Sequence, residues 1–197
     1  MTFKEFNTDN KSPSFISGWF IEDEICDGMI SFFNEDNYFP ISEGLSSVGV
    51  VDKSRKESLD KSISPITKDY RVLSYLNSLS KIIDLYIQKY EWCNNTEASW
   101  RIIENFNIQY YPPNGGFKVF HFERNGNLKS LTRVLTFMTY LNDVNDGGET
   151  EFYYQKLKVK PRKGLTLIWP VDWTHTHRGI VSPTEEKMIV TGWYNFS

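Results

Sequence analysis

The sequence predicts a mostly β fold with N-terminal helices, in which the helices pack against a jelly roll. Three observations predict it. Apolar residues recur once per helical turn only before Trp92. After Trp92 the apolar period falls to two, and turn signals cut the remainder into eight short runs. The aromatic content is high, with 14 Phe, 11 Tyr and 6 Trp in 197 residues, which suits a β-rich core.

Taken in order, Phe20 to Phe33 reads as a helix, with Ile21, Ile25, Met29 or Ile30, and Phe33 in phase. Acidic residues crowd its first turn, where they complement the helix dipole. Residues 35–64 read as loop-rich, with one strand at 47–51. A second helix is expected over Thr67–Tyr90, carrying Leu73, Leu76, Leu79, Ile83, Tyr86, Ile87 and Tyr90 on one face. The strand candidates are Trp100–Tyr111, Phe117–Glu123, Thr132–Leu141, Thr150–Tyr154, Leu157–Val159, Leu165–Trp169, His175–Gly179 and Lys187–Phe196. Between them stand Pro112 to Gly116, Asn125 to Asn127, Asn145 to Gly148, Lys163-Gly164 and Ser182-Pro183. Helices followed by many short strands is the pattern of a jelly roll with helical support, here at about 15–92 and 100–196. No repeat, low-complexity stretch or linker interrupts residues 1–197, so one domain is expected.

Composition narrows the function classes. A net charge of −3 gives the chain no overall attraction for nucleic acid. Lys118, Arg124, Lys129 and Arg133 read as a solvated rim. Two cysteines, Cys26 and Cys93, are too few for a disulfide framework and read as buried free thiols in a reducing compartment. The polar start lacks a signal peptide's apolar core, and no run is long enough to span a membrane. Asn94-Asn95-Thr96 reads as a polar loop. The expectation is a cytoplasmic protein, in the host cytoplasm if the chain is viral.

The chemistry is concentrated in two segments. His121-Phe122-Glu123 puts an imidazole and a carboxylate two residues apart, so on a strand both point to one face. Alone that pair is weak evidence, since a strand-end histidine bonded to a neighbouring acid looks the same. His177 lies ten residues before Lys187, and Lys187 shares an inward face with Ile189, Thr191 and Trp193. A lysine on such a face is costly unless it meets an anion. Two histidines and one acid form the ligand set of non-haem Fe(II) oxygenases.

At these residues the chain resembles a known family. Tyr111-Pro112-Pro113, His121-Phe122-Glu123, Tyr140-Leu141-Asn142, Gly147-Gly148-Glu149-Thr150, and His177-Arg178-Gly179 with Lys187 and Gly192-Trp193 are similar to Fe(II)/2-oxoglutarate-dependent dioxygenases of the prolyl 4-hydroxylase-like branch. The chain's compactness resembles small microbial and phage members. The resemblance implies a double-stranded β-helix, a form of jelly roll, and a hydroxylase that releases succinate and CO2. It implies Fe(II) held by His121, Glu123 and His177, with O2 and 2-oxoglutarate as co-substrates and ascorbate as an accessory reductant. It further implies that Lys187 pairs with the distal carboxylate of 2-oxoglutarate, with Tyr140 and Tyr111 beside it, and that Thr191 and Trp193 wall the pocket. His175 shares a face with His177 in an unbroken strand. The ten-residue interval to Lys187 and the following Arg-Gly match the family at His177, which leaves His175 at the rim or behind the ligands.

The family norm is His-x-Asp, and Glu123 departs from it by one methylene, which lengthens and loosens the ligand arm. An acid there argues against halogenase chemistry, which needs the position vacated. The branch implies a peptidyl substrate such as proline. Phe117, Phe120, Trp169 and Trp173, with Arg124 and Arg178, either line a peptide groove or pack the barrel mouth. Two other classes stay open: a non-catalytic, cupin-like metal- or ligand-binding jelly roll, and an oxygenase acting on a small molecule.

Overall fold

In the computed structural model, which describes residues 4–6, 13–46 and 49–197, the elements follow in this order. The N-terminal part holds β1 (Glu5–Phe6), β2 (Ser17–Phe20), α1 (Asp23–Glu35), β3 (Ile41–Glu43), β4 (Lys56–Glu57), β5 (Leu59–Ile63) and α2 (Tyr70–Lys89). The C-terminal part holds β6 (Trp100–Arg101), β7 (Phe106–Tyr111), β8 (Gly116–Phe117), β9 (Arg133–Tyr140), β10 (Thr150–Phe152), β11 (Leu157–Val159), β12 (Leu165–Pro170), β13 (His177–Gly179) and β14 (Lys187–Phe196).

The major sheet runs β1-β2-β12-β9-β14-β7-β5-β3, with β6 added beside the end of β14. A minor sheet, β11-β10-β13, and the short pair β4-β8 complete the strands. Period-two alternation gives the major sheet two apolar faces. Phe106, Ile108, Leu135, Phe137, Ile168, Met188, Val190 and Tyr194 point to a core shared with α1 and α2. Tyr111, Met138, Tyr140, Leu165, Leu167, Trp169 and Ile189 point the other way, onto Phe152 and Val159 of the minor sheet. This is the two-sheeted architecture of a double-stranded β-helix, with helices covering one outer face.

Both expected helices form with shifted ends, α1 starting and ending later and α2 shorter at both ends, and Leu73, expected on the apolar face of α2, is exposed. α1 buries Cys26, Met29, Phe32 and Phe33, and α2 buries Val72, Tyr75, Leu79, Ile82, Ile83 and Tyr86. Asp69 caps α2 by accepting from the Arg71 amide. The last turn of α1 carries no basic residue, but Lys61 of β5 reaches in and donates to the carbonyls of Phe32 and Asp36. Among the described residues no helix is long and apolar enough to cross a membrane. Cys26 is buried and Cys93 half-buried, both as free thiols, and burial pushes the Cys26 thiol up to about 12.

Three strand expectations are corrected. Residues 35–64 hold β3, β4 and β5; β5 and β3 extend the major sheet beyond β7, with Leu59–Ile63 antiparallel to Phe106–Tyr110, while β4 pairs with β8. Their polar and charged alternation hides strands whose inner face lines a cavity. Of the strand expected at 47–51, residues 47–48 lie outside the described residues, and the remainder forms no strand. The strand expected over Phe117–Glu123 stops at Phe117. The chain then leaves the sheet and returns as a single bridge between His121 and His177. Trp169, for which a groove and a packed position were both open, is packed: it is buried in the inner core at the wall of the cavity.

Candidate metal and co-substrate site

A cavity of about 670 Å³ opens between the sheets. Its walls come from β5, β7, β9, β13 and β14 and from the segment that carries His121 to Arg133. Reciprocal amide bonds of 2.9 Å between His121 and His177 tie the two segments together. Glu123 is held two residues on, where its amide donates to the Val171 carbonyl at 3.1 Å. One ligand atom from each of His121, Glu123 and His177 lies within 4.8 Å of the others.

The chemistry of these donors fits a cation. The Nδ1 of His121 faces the Val119 carbonyl at 3.1 Å, and that of His177 faces the His175 carbonyl at 2.9 Å. A carbonyl only accepts, so each Nδ1 carries the hydrogen and each Nε2 points inward. The two Nε2 atoms stand 3.6 and 3.4 Å from Glu123 Oε1. Burial, reinforced by the neighbouring His177, holds His121 down at about 4, so it presents a lone pair at neutral pH. Burial alone would push the Glu123 carboxyl up, but His177, His121 and Arg133 hold it at about 2. An anion and imidazole lone pairs turned toward one point is what a divalent metal requires.

The other carboxylate oxygen is occupied. Trp193 donates its indole N–H to Glu123 Oε2 at 2.9 Å, and Arg133 Nη1 lies 3.7 Å from the same oxygen. The Arg133 guanidinium lies over the Trp193 ring at 3.4 Å and pairs with both oxygens of Glu104 at 2.8 Å. On the other side, the Phe117 ring stacks on His121 at 3.7 Å.

Lys187 sits at the start of β14 and is 5% exposed, which answers whether it reaches solvent. Its Nζ donates to the Gly148 carbonyl at 2.9 Å and lies 5.1 Å from the Tyr111 ring. Burial lowers its pKa to about 8, and Glu149 offsets only part of that. Gly147 and Gly148 both adopt positive φ, and a Cβ on Gly147 would meet the Val181 carbonyl at 2.5 Å. That turn delivers the carbonyl Lys187 uses.

The remaining predicted residues divide. Tyr111, Thr191 and Trp193 line the cavity. Tyr111 donates to Gln109 Oε1 at 2.6 Å, and Thr191 to the Phe137 carbonyl at 3.2 Å. Tyr140 is buried behind Thr150, with its hydroxyl donating to Thr150 Oγ1 at 2.6 Å and meeting the Val159 carbonyl at 3.2 Å. Thr150 is the residue that faces the cavity there. His175 is brought elsewhere. A 3-10 turn at Trp173–His175 breaks the face it would share with His177, and its Nε2 bonds the Ser14 carbonyl at 2.9 Å.

The expected basic rim is also not free. Lys118 pairs with Glu57, Arg124 with Asp172, and Arg133 with Glu104. Sequence reading missed Gln109, Asp60 and Lys56, a buried chain in which Gln109 Nε2 and Lys56 Nζ both donate to Asp60 Oδ2 at 3.2 and 2.6 Å. Period-two alternation along Asn107, Gln109 and Tyr111 carried a signal for Gln109. Asp60 and Lys56 had none, because their segment reads as loop.

Residues 106–195 match the family described as the 2OG-Fe(II) oxygenase superfamily. That stretch, a little under half of the chain, contains His121, Glu123, His177 and Lys187. A probable prolyl 4-hydroxylase from Arabidopsis thaliana is 32% identical over a match covering 33% of this chain and 30% of that protein. The matched stretch is thus under a third of that relative's length. A viral collagen prolyl hydroxylase from Paramecium bursaria Chlorella virus-1, solved with 2OG, superposes with a TM-score of 0.68 at 19% identity, covering 93% of this chain and 97% of that one. A Pseudomonas putida prolyl-4-hydroxylase gives 0.68 at 14% identity, covering 93% of each chain. A Trichoplax adhaerens prolyl hydroxylase bound to a hypoxia inducible factor peptide gives 0.67 at 19% identity, covering 98% and 83%.

Proposed function

We propose that the chain is an Fe(II)- and 2-oxoglutarate-dependent hydroxylase acting on a peptidyl residue such as proline, working as one domain in a reducing, cytoplasmic setting. The observation that carries the reading is the convergence of His121, Glu123 and His177 in a cavity that also buries the cation of Lys187. His121 and His177 would hold Fe(II) through Nε2 and Glu123 through Oε1. When bound, the metal with 2-oxoglutarate and O2 supplies the oxidising chemistry that hydroxylates a substrate C–H and leaves succinate and CO2.

The protein's own part is positioning. The Val119 and His175 carbonyls fix the imidazole tautomers. Lys187 meets the distal carboxylate of 2-oxoglutarate with donors beyond the one it gives to Gly148. Tyr111 flanks it through its ring and hydroxyl, and Tyr140 acts from behind, by orienting Thr150. Thr191 and Trp193 wall the cavity. A non-catalytic jelly roll has no use for a buried, nearly unpartnered lysine beside a metal-ligand set. The peptide substrate rests on the prolyl hydroxylase relatives, among them the one bound to a peptide.

The test is purified protein with Fe(II) and 2-oxoglutarate, with and without ascorbate, against proline-containing peptides and small-molecule acceptors. Succinate formation together with a one-oxygen mass gain on a peptide is expected. Oxygen gain only on a small molecule would remove the peptide assignment. No succinate under any condition, with metal binding intact, would leave a binding jelly roll.

A further inference from the structure

We infer that Trp193 and Arg133 form a clamp that adapts this site to glutamate in place of the shorter family acid, by holding Glu123 Oε2 and leaving Oε1 alone to face the metal. The inference rests on the metal site proposed above.

A glutamate carries one more rotatable bond than aspartate, so an unrestrained Glu123 would swing or present both oxygens. Three contacts prevent this. The Trp193 indole donates to Oε2 at 2.9 Å. Arg133 Nη1 stands 3.7 Å from Oε2 and donates to the Glu123 backbone carbonyl at 3.1 Å, gripping the residue at both ends. Glu104 holds Arg133 in place through two 2.8 Å bonds, and the guanidinium lies 3.4 Å over the indole. All four side chains are buried or half-buried, so water competes weakly with these bonds.

The backbone is shaped to deliver Arg133. Between Tyr194 and Asn195 the β14–β9 register skips, with Tyr194 opposite Leu135 and Asn195 opposite Arg133. Val134 is the extra residue, and both Val134 and Leu135 pack toward the helices. Arg133 therefore lands on the cavity face, where it lies over Trp193. A bulge that re-aims one side chain beside a site is a built feature of sheets.

The experiment is a Co(II) titration of the metal-free protein, followed by calorimetry and by ligand-field absorption, with melting temperature as a control. Trp193→Phe keeps the ring and loses the N–H. Its Co(II) affinity should fall about ten- to a hundred-fold, and its absorption should change as the second oxygen is freed. The decisive measurement is the same substitution in a Glu123→Asp background. The shorter acid cannot use the clamp, so there Trp193→Phe should change affinity by no more than about twofold. Equal losses in both backgrounds would show a merely structural tryptophan and overturn the inference. Should Trp193→Phe fail to fold, Arg133→Lys takes its place in the same cycle, with the same criterion. Glu123→Ala separates the two readings: wild-type Co(II) binding in that variant would sink the metal site itself, whereas unchanged binding in Trp193→Phe alone would sink only the clamp.

Discussion

Lys187 shows most plainly how one residue's physics sets a testable behaviour. Among the described residues no carboxylate pairs with it, and burial holds it at about 8, below the ordinary 10.5. In the ligand-free protein its proton is therefore lost more readily than in the unfolded chain. The unfolded state binds more protons between about 8 and 10.5, so this group's contribution to stability rises with pH across that window. An anionic co-substrate needs the protonated form, so its affinity should be flat below neutral pH and fall as pH rises through about 8. Calorimetric titration with 2-oxoglutarate across pH 6.5–9.5 checks this. Lys187→Ala should raise the co-substrate KM about ten- to a hundred-fold and leave metal affinity nearly unchanged. Unchanged co-substrate affinity would place the anion elsewhere. The two late histidines give a second contrast: His177→Ala should abolish Fe(II) binding. His175→Ala should keep it and lose roughly 1–3 kcal/mol of stability, since it strands the Ser14 carbonyl.

At the scale of elements, local backbone geometry carries the site. The turn into β10 places two glycines at positive φ so that the Gly148 carbonyl meets Lys187. Gly147→Ala adds both left-handed strain and a clash with the Val181 carbonyl. It should destabilise by about 1–3 kcal/mol in urea unfolding and weaken 2-oxoglutarate binding in parallel. A variant as stable as wild type would show that the turn relaxes without harm. β5 makes a different use of a charge. Lys61 is fully buried and closes the C-terminus of α1 on the carbonyls of Phe32 and Asp36, with Asp36 Oδ2 at 3.5 Å. Cations suit a helix C-terminus. Lys61→Met should lose about 1–3 kcal/mol, because the Asp36 carbonyl loses the Lys61 donor and the Phe32 carbonyl keeps only the Asp36 amide. Turnover should survive at temperatures where the variant stays folded, since Lys61 faces the helices and not the cavity.

For the molecule as a whole, the two cores meet at the major sheet, and the site lies on the inner side of that sheet. Ligands bound there stabilise every layer together by mass action. At a hundred times its Kd a ligand adds about 2.7 kcal/mol, which for a chain of this size corresponds to roughly 5–10 °C in Tm. Metal followed by 2-oxoglutarate should therefore give two successive increments in a thermal melt. Lys187→Ala should keep the first and lose most of the second. Glu123→Ala should lose both, because the co-substrate's other end needs the metal. A Lys187→Ala melt with both increments intact would separate that residue from the co-substrate.

The sequence by itself determined element type where periodicity was strong. α1, α2, β9, β11, β12 and β14 lie where 3.6- and 2-residue patterns put them, because side-chain direction repeats locally along helices and strands. It also singled out His121, Glu123, His177 and Lys187, since metal ligands and a buried cation demand particular residue types. Tertiary structure decided the rest. β4 and β5 were illegible because their polar inner face, with Lys56 and Asp60, serves a cavity and not a core. His175 was separated from His177 by a 3-10 turn, which carries its ring to the Ser14 carbonyl across the fold. Arg133 looked like a rim charge until a register skip in β9 turned it onto Trp193. The indole that holds Glu123 comes from 70 residues away. Such pairings depend on sheet register and bulge position, which are fixed by the packing of all the layers at once and leave no mark on local periodicity.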